Sequence, residues 1–247
     1  MTLPTDSELT AIEAVGRLTV YSLLATGFMF PTTGRMETIR SILMPGLSML
    51  DLGPDLNERA GMLATSVPAN VDELRNRYME LFPPVASQDA PGYETGYRGD
   101  GVFQQSAVMA DIAGFYRVHG LRAGGEERER LDHITVELEF MAVVAKKEVW
   151  ALEAGDSENA SICRDTAAAF LAEHLGCWGP AFGLRASMVS SDPWYAALAE
   201  FLVAWLEEDL INMGVEPIEV AESPLPQEAP DDGSCGPCPT PGMGAGQ

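Results

Sequence analysis

The feature that most constrains the fold of this chain is an apolar repeat at helical spacing in its second half. Apolar side chains occupy positions 134, 138, 141, 145 and 149, which places them on one face of a helix. The N-terminal end of this helix is polar, because Asp132 and His133 stand just before the repeat and Glu137 lies one turn further on. Asp132 is well placed to cap backbone N–H groups that lack an intrahelical partner. The sequence therefore predicts a buried helix with an acid–imidazole pair at its N-terminal end.

Further apolar repeats, bounded by Gly, Pro and capping residues, predict helices along most of the chain. The predicted helices run from Ser7 to about Phe30, Met36 to Leu50, Asn70 to Phe82, Gln104 to His119, Glu126 to about Glu153, Asn159 to Leu175 and Asp192 to about Met213. Gly176 is expected to end the sixth of these helices. No convincing alternating strand and no βαβ rhythm is present. The expected fold is all-α, a single helical bundle.

The charge of the chain excludes some classes of partner. The 247 residues include 37 acids and 15 Lys or Arg, for a formal net charge of −22. Such a surface repels nucleic acid and anionic lipid, and it suits either a cationic partner or simple solubility. No run of eighteen apolar residues predicts a membrane span. The first ten residues carry acids and no Lys or Arg, unlike a secretory signal, so we expect a cytoplasmic protein.

Two irregular stretches interrupt the helical pattern. The first covers residues 83–101, where Pro and Gly flank Tyr93, Glu94, Tyr97 and Arg98. Long loops inside compact domains are usually functional or mobile. The second covers residues 216–247, which are rich in Pro, Gly and acids and are expected to be a disordered tail. The predicted organisation is therefore a helical domain over 1–215 and a tail over 216–247.

The tail contains a Cys-x-x-Cys motif formed by Cys235 and Cys238. This spacing can bind a metal or cycle as a dithiol. A zinc site needs two further ligands, and Cys163 and Cys177 stand far along the chain in or beside a predicted helix. An exposed, reduced pair is the plainer interpretation. A helical metal-binding or redox-active protein that uses this tail remains the alternative function.

No enzyme motif is present. The chain lacks the sequences H-E-x-x-H, G-x-S-x-G, a Walker loop and G-x-G-x-x-G, and none of its three histidines follows a Glu at the spacing of di-iron bundles. His133 and Glu137 offer two metal ligands at helical spacing, but no third is evident. The sequence therefore predicts a protein that is not an enzyme and requires no cofactor.

Three segments, in order, resemble the TorD/DmsD/NarJ family of molybdoenzyme maturation chaperones. The first is Y-M-E-L-F at 78–82 followed by Y-E-T-G-Y at 93–97, similar to the family's Y-x-x-L-F and Y-E-S-x-Y. The second begins M-A-D at 109–111 and ends in a Gly-Leu step at 120–121. The third, D-H-I-T-V-E-L-E-F-M at 132–141, resembles the family signature D-H-I-x-x-E-L-E-F-M. The chain departs from the family in having Leu131 where a Pro often precedes Asp-His, and in its Cys-containing tail.

The resemblance implies an all-helical cytoplasmic chaperone. Such a protein binds the twin-arginine leader or N-terminal region of a molybdenum oxidoreductase precursor of the DMSO reductase family, and it holds the precursor for cofactor insertion before export. A monomer or a homodimer is compatible with this role, and a regulatory helical module without an export role is a plainer possibility.

The resemblance also implies a peptide-binding site. Its candidate residues are Leu81, Phe82, Tyr93, Glu94, Tyr97, Gly120, Asp132, His133 and Glu137. The carboxylates suit forked hydrogen bonds to arginine, and the apolar side chains suit the apolar part of a leader. The plainer roles are core packing for Leu81 and Phe82 and helix capping for Asp132.

Overall fold

The computed structural model describes residues 6–43, 47, 50, 52–83, 89–98, 102–122 and 129–218, apart from the side chains of 6–9 and 102–104. The described helices are α1 (Asp6–Phe28), α2 (Thr33–Ser41), α3 (Pro54–Ser66), α4 (Val71–Leu81), α5 (Val102–Val118), α6 (Ile134–Glu153), α7 (Ser157–Phe170), α8 (Gly176–Val189) and α9 (Pro193–Met213). A 3-10 turn at Glu94–Gly96 precedes α5, and a π-helical turn at Leu171–Leu175 joins α7 to α8. These ranges contain no strand, which confirms the all-α prediction. Within them, no helix is long and apolar enough to cross a membrane.

The helices enclose one apolar core. Helix α1 packs along α6, α8 packs along α9, and α7 and α3 pack on α6 and α9 respectively. The largest fully buried side chains are Trp178, Trp194, Tyr21, Tyr195, Phe28, Phe140, Phe170, Phe182 and Phe201. Helix α6 runs through this core, since Ile134, Leu138, Met141 and Ala145 of its apolar repeat are all buried. The predicted boundary at residue 215 stays a prediction, and the tail cysteines Cys235 and Cys238 lie outside the described residues.

The start of α6 differs from the prediction. The helix begins at Ile134 rather than near Glu126, and the N-cap residue is His133 rather than Asp132. The Nδ1 atom of His133 accepts a hydrogen bond from the Thr135 N–H at 3.3 Å. Asp132 points its carboxylate elsewhere, and its partners are described below.

The region after α7 also differs from the prediction. Gly176 does not end a helix, because α8 follows the π-helical turn directly and continues to Val189 with Pro180 inside it. The glycines of α8 face α9 at very short range. A Cβ atom would lie 2.6 Å from Leu206 Cδ1 at Gly179 and 2.6 Å from Val203 Cγ2 at Gly183. These glycines therefore permit close packing of two helices.

Two helices near the N-terminus also differ from the prediction: α2 has other bounds, and α3 is not among the predicted helices. The predicted helix from Met36 to Leu50 is found as α2, which ends at Ser41. It begins earlier than predicted because the Thr32 side chain caps its start by accepting from the Arg35 N–H. Helix α3 was not predicted, although Pro54 at its first turn is a common start signal. The predictions for α1, α4 and α9 agree with the structure to within two residues, with Asn70 and Asp192 as the caps of α4 and α9.

Two buried polar pairs join α1 to its neighbours. Arg17 of α1 forms an ion pair with Glu148 of α6, with Nη2–O distances of 2.7 and 2.6 Å. One turn later, the Tyr21 hydroxyl donates to Asp209 of α9 at 2.6 Å. Burial raises the pKa of Asp209 to about 6, despite the opposing effects of the Tyr21 hydrogen bond and the Arg17 charge. These pairs fix α1 against two other helices in the core.

Candidate functional site

The loop over 89–98 is held against the start of α6 by backbone hydrogen bonds. The Glu94 N–H donates to the Asp132 carbonyl at 2.9 Å, and the Ile134 N–H donates to the Gly92 carbonyl at 2.9 Å. Tyr93 and His133 form an isolated antiparallel bridge between these two bonds. Two motifs that are separate in sequence therefore form one structural unit, which we call the loop–helix junction (residues 89–98 and 130–137).

Asp132 is the polar centre of the junction. Its carboxylate is fully buried, and it accepts from the Thr95 hydroxyl at 2.8 Å and the Thr95 N–H at 3.3 Å. The Arg130 guanidinium donates to both carboxylate oxygens, at 3.0 and 2.9 Å, and also to the Thr95 hydroxyl at 2.8 Å. The carboxylate thus makes forked, charge-assisted hydrogen bonds within its own chain.

His133 lies between aromatic rings of the loop and of α4. Its ring centroid is 5.7 Å from that of Phe82 and 5.0 Å from that of Tyr93. Its Nδ1 lies 2.7 Å from the Thr135 hydroxyl. Burial lowers the pKa of His133 to about 4, although the charges of Glu129 and Asp132 oppose that shift. The imidazole is therefore neutral at physiological pH.

Glu94 connects the loop to the π-helical turn. Its fully buried carboxylate lies 2.5 Å from Nη2 of Arg98 and 3.1 Å from Nδ1 of His174 through either oxygen. Arg98 also donates to the Glu173 carbonyl oxygen. The Glu94 side chain is therefore occupied by two basic partners from this chain.

Glu137 is the third buried acid of the site. The Trp178 indole N–H of α8 donates to its Oε2 at 3.0 Å, whereas its buried Oε1 makes no hydrogen bond. Burial raises the pKa of Glu137 well above the ordinary value, and the nearby Glu94 charge acts in the same direction. Glu137 is therefore a buried carboxyl group that resists ionisation.

The apolar and aromatic candidates occupy different depths. Leu81 is buried in the core, and Phe82 is partly exposed, with its ring against Phe28 and Phe182. Tyr97 is partly exposed, with its ring 5.3 Å from Trp178 and the Arg185 guanidinium 5.0 Å above it. Phe82, Tyr93 and Tyr97 are thus the candidates that reach the surface.

Gly120 is placed apart from the other candidates. It ends α5 with a positive φ of 73°, which favours glycine, and its N–H donates to the Arg117 carbonyl. The end of α5 is joined to the junction by the Tyr116 hydroxyl, which donates to the Leu131 carbonyl at 2.9 Å. The structure therefore places Gly120 in the turn after α5 rather than in the junction.

Several residues of the site were not among the sequence candidates. Their polar atoms contact the carboxyl groups of the buried acids: Thr95, Arg98, Arg130, His174 and Trp178. Three of them stand next to a candidate in the sequence, within four residues. His174 and Trp178 come from a segment about forty or more residues away, and only the fold brings them to Glu94 and Glu137.

The chain matches the family model described as nitrate reductase delta subunit over residues 51–183, which includes the whole junction. It is 28% identical over 113 residues to the chlorate reductase assembly chaperone protein of Ideonella dechloratans, covering 46% of this chain and 56% of that one. It is 25% identical over 139 residues to the chaperone protein TorD of Vibrio cholerae serotype O1, covering 56% of this chain and 60% of that one.

A longer alignment reaches the perchlorate reductase assembly chaperone protein of Dechloromonas aromatica, 27% identical over 227 residues, covering 81% of this chain and 93% of that one. The alignments to the chlorate reductase chaperone and TorD span less than two thirds of those relatives. These relatives are named as chaperones rather than enzymes. The matches confirm the family resemblance found in the sequence motifs.

Proposed function

The chain belongs to the nitrate reductase delta subunit family, and on this basis we propose that it is a system-specific chaperone for the maturation of a molybdenum oxidoreductase. Its client is the precursor of a catalytic subunit of the DMSO reductase family. The chaperone binds the twin-arginine leader or the N-terminal region of this precursor in the cytoplasm. It holds the precursor while the molybdenum cofactor is inserted and so delays export.

The observation that carries this proposal is the loop–helix junction within the matched segment. Tyr93 and Glu94 of the loop contact Asp132 and His133 through backbone bonds, so the motif residues lie together in one structural unit. Phe82 and Tyr97 place aromatic rings beside it. A leader peptide combines guanidinium groups with an apolar segment, and the junction combines carboxylates buried beneath it with partly exposed aromatic rings at its surface.

Arg130 gives the junction a way to receive an arginine of the client. Its side chain is 50% exposed, whereas its partner Asp132 is fully buried. Rotation of Arg130 toward solvent frees the Asp132 carboxylate and the Thr95 hydroxyl for another guanidinium in the same forked geometry. In this proposal Arg130 occupies the position of a client arginine until the leader binds, which avoids an unpaired buried charge in the free chaperone.

The charge of the chain favours the encounter. A net charge of −22 attracts a cationic leader over a distance of about a Debye length, roughly 8 Å at physiological salt. Association is therefore expected to slow as salt is added. The apolar contacts of Phe82 and Tyr97 limit the loss of affinity once the peptide is bound.

The proposal is tested by calorimetric titration of the full-length chain with the leader peptide of the molybdenum oxidoreductase precursor encoded nearest its gene. Asp132→Ala and His133→Ala are expected to weaken binding by tenfold or more. Asp156→Ala, which removes the exposed cap of α7, serves as a control of similar chemistry far from the junction. Thermal unfolding of each variant identifies any loss of folded protein. Binding as tight as wild type in both junction variants contradicts the assigned site.

A second peptide tests the chemistry of recognition. Replacement of both leader arginines by lysine keeps the charge and removes the forked geometry, so we expect binding at least tenfold weaker. Arg130→Gln should tighten binding of the arginine peptide if Arg130 occupies the client position. Equal binding of the lysine and arginine peptides contradicts recognition by a buried carboxylate, and no binding of either peptide contradicts leader binding as the function.

A further inference from the structure

Three side chains of ligand type converge behind the junction, on the far side of Glu94. Asp111 comes from α5, and Glu173 and His174 come from the π-helical turn. One ligand atom from each lies within 4.8 Å of the other two, and His174 Nε2 lies 3.3 Å from Asp111 Oδ2. The proposed function does not use these three groups.

His174 is oriented as a metal-binding histidine. The residue is 1% exposed, and its Nδ1 faces both oxygens of Glu94 at 3.1 Å. Its Nε2, on the side of Asp111, is buried and makes no hydrogen bond. A carboxylate that accepts from one ring nitrogen fixes the tautomer that leaves the other nitrogen free to bind a metal. Buried nitrogens without a hydrogen bond are rare and need an explanation.

A plain ion pair between His174 and Asp111 explains the arrangement less well. An Nε2–H group held by that carboxylate at 3.3 Å is expected to form a hydrogen bond, and Nε2 forms none. Asp111 is also largely solvated, because its side chain is 60% exposed. The buried imidazole is thus fixed by Glu94 while the carboxylate near its free nitrogen is adjustable.

We propose that Asp111, Glu173 and His174 bind a divalent transition-metal ion, with zinc as the best-fitting ion. Imidazole nitrogen and carboxylate oxygen are both ligands that zinc takes in proteins, with bonds of about 2.0–2.2 Å. Bonds of that length in a tetrahedron put ligand atoms roughly 3.3–3.6 Å apart, and His174 Nε2 and Asp111 Oδ2 are already 3.3 Å apart. Glu173 is only partly buried. A rotation of its side chain at the surface would bring a carboxylate oxygen to the same distance from the other two ligand atoms.

An ion bound at this site would link three parts of the fold. A metal at this site joins α5 to the π-helical turn, and through the His174–Glu94 contact it also stabilises the loop over 89–98. π-Helical turns are frequent at functional sites, because the extra residue changes the direction of a side chain. Metal binding is therefore expected to stabilise the loop that carries Tyr93 and Glu94.

The test uses the full-length chain with Cys235→Ser and Cys238→Ser, so that tail thiols cannot bind the ion. After treatment with a chelator, calorimetric titration with zinc chloride is expected to show one ion per chain. Asp111→Asn and Glu173→Gln should each weaken zinc binding tenfold or more. Asp165→Asn, an exposed acid on α7, removes the same charge elsewhere and should leave the affinity unchanged.

A spectroscopic readout identifies the donor atoms. Cobalt(II) bound at the site should show the visible absorption of a nitrogen and oxygen complex without a thiolate charge-transfer band, and Asp111→Asn should remove it. Absence of saturable zinc binding overturns the proposal, as does zinc binding that is unchanged in both Asp111→Asn and Glu173→Gln. The leader-peptide titration, run in chelator, tests the chaperone function separately.

Discussion

Arg130 and Asp132 form a two-point ion pair across the loop–helix junction, with one guanidinium nitrogen on each carboxylate oxygen at 3.0 and 2.9 Å. The same guanidinium also donates to the Thr95 hydroxyl, so a single cation links the loop to the residues that precede α6. Asp132 is therefore both the centre of the proposed client site and a structural acceptor. Experiments can distinguish the two roles of Asp132, because the stability of the protein and its affinity for the client are measured independently.

Asp132→Asn is expected to destabilise the free protein by about 2–4 kcal/mol. The neutral amide presents N–H donors toward Arg130 and Thr95, which are themselves donors, and the buried pair loses its charge. Urea denaturation measures the change, and Asp156→Asn at the exposed cap of α7 is the matched control, which should be as stable as wild type because asparagine also caps helices. A stability equal to wild type in Asp132→Asn contradicts the structural role of the ion pair.

His133→Asn is expected to make the protein more resistant to acid relative to wild type. Asparagine also caps helices, whereas His133 has its pKa lowered to about 4 by burial. Between pH 6.5 and 4 the unfolded state binds a proton that the folded state does not, so the His133 contribution is present above pH 6.5 and is lost as pH falls. Its full size is roughly 3 kcal/mol. Denaturation at pH 7 and pH 4 measures it, and an identical pH dependence in wild type and variant contradicts it.

Asp209→Asn is expected to have the opposite pH signature. Burial raises the pKa of Asp209 to about 6, so the folded state retains a proton that the unfolded state has lost. The Asp209 contribution is therefore present below about pH 4 and is lost as pH rises through 6. The free energy of unfolding of the variant, relative to that of wild type, should rise by roughly 3 kcal/mol between pH 4 and pH 7. Thermal unfolding across this range tests it, and a constant difference between the two proteins contradicts the shift.

Gly183→Ala and Gly114→Ala are a matched pair for the close packing of α8 on α9. A Cβ atom at Gly183 would lie 2.6 Å from Val203 Cγ2 and 3.0 Å from the Ala199 carbonyl oxygen, whereas one at Gly114 of α5 meets nothing within 4 Å. Gly183→Ala should cost about 1–3 kcal/mol, and Gly114→Ala should gain about 0.5–1 kcal/mol from helix propensity. Urea denaturation of both variants measures the difference, and equal stabilities contradict close packing at Gly183.

Much of the fold was predictable because helix signals are local. Asp192, Pro193 and Gly214 mark the ends of α9 by the chemistry of caps, and the structure keeps those ends. Helix α8 was missed because Gly176 reads as a terminator in sequence. In the structure, a Cβ atom at Gly176 would collide with the Leu171 carbonyl oxygen of the π-helical turn and would lie 3.1 Å from Leu210 Cδ2 of α9. The glycine is therefore required by a backbone turn and a tertiary contact that the local sequence does not reveal.

In the candidate site too, local sequence signals identified residues but not their tertiary contacts. Asp132 and His133 were found from their position before an apolar repeat, and the loop residues were found from the family resemblance. The direction of the Asp132 side chain was not predictable, because its partners Thr95 and Arg130 compete with the helix N–H groups for the same oxygens. The tertiary contact replaced the local cap, and His133 took that cap.

The hydrogen bond from Trp178 to Glu137 sets a time order for synthesis. The ribosome delivers this indole 41 residues after the acid that it satisfies, and also after the imidazole of His174 that faces Glu94. A nascent chain that has emerged only as far as α6 holds all the signature residues but lacks the Trp178 donor of Glu137 and the His174 contact of Glu94. The proposed client site is therefore complete only late in translation, once the helix carrying Trp178 has left the exit tunnel.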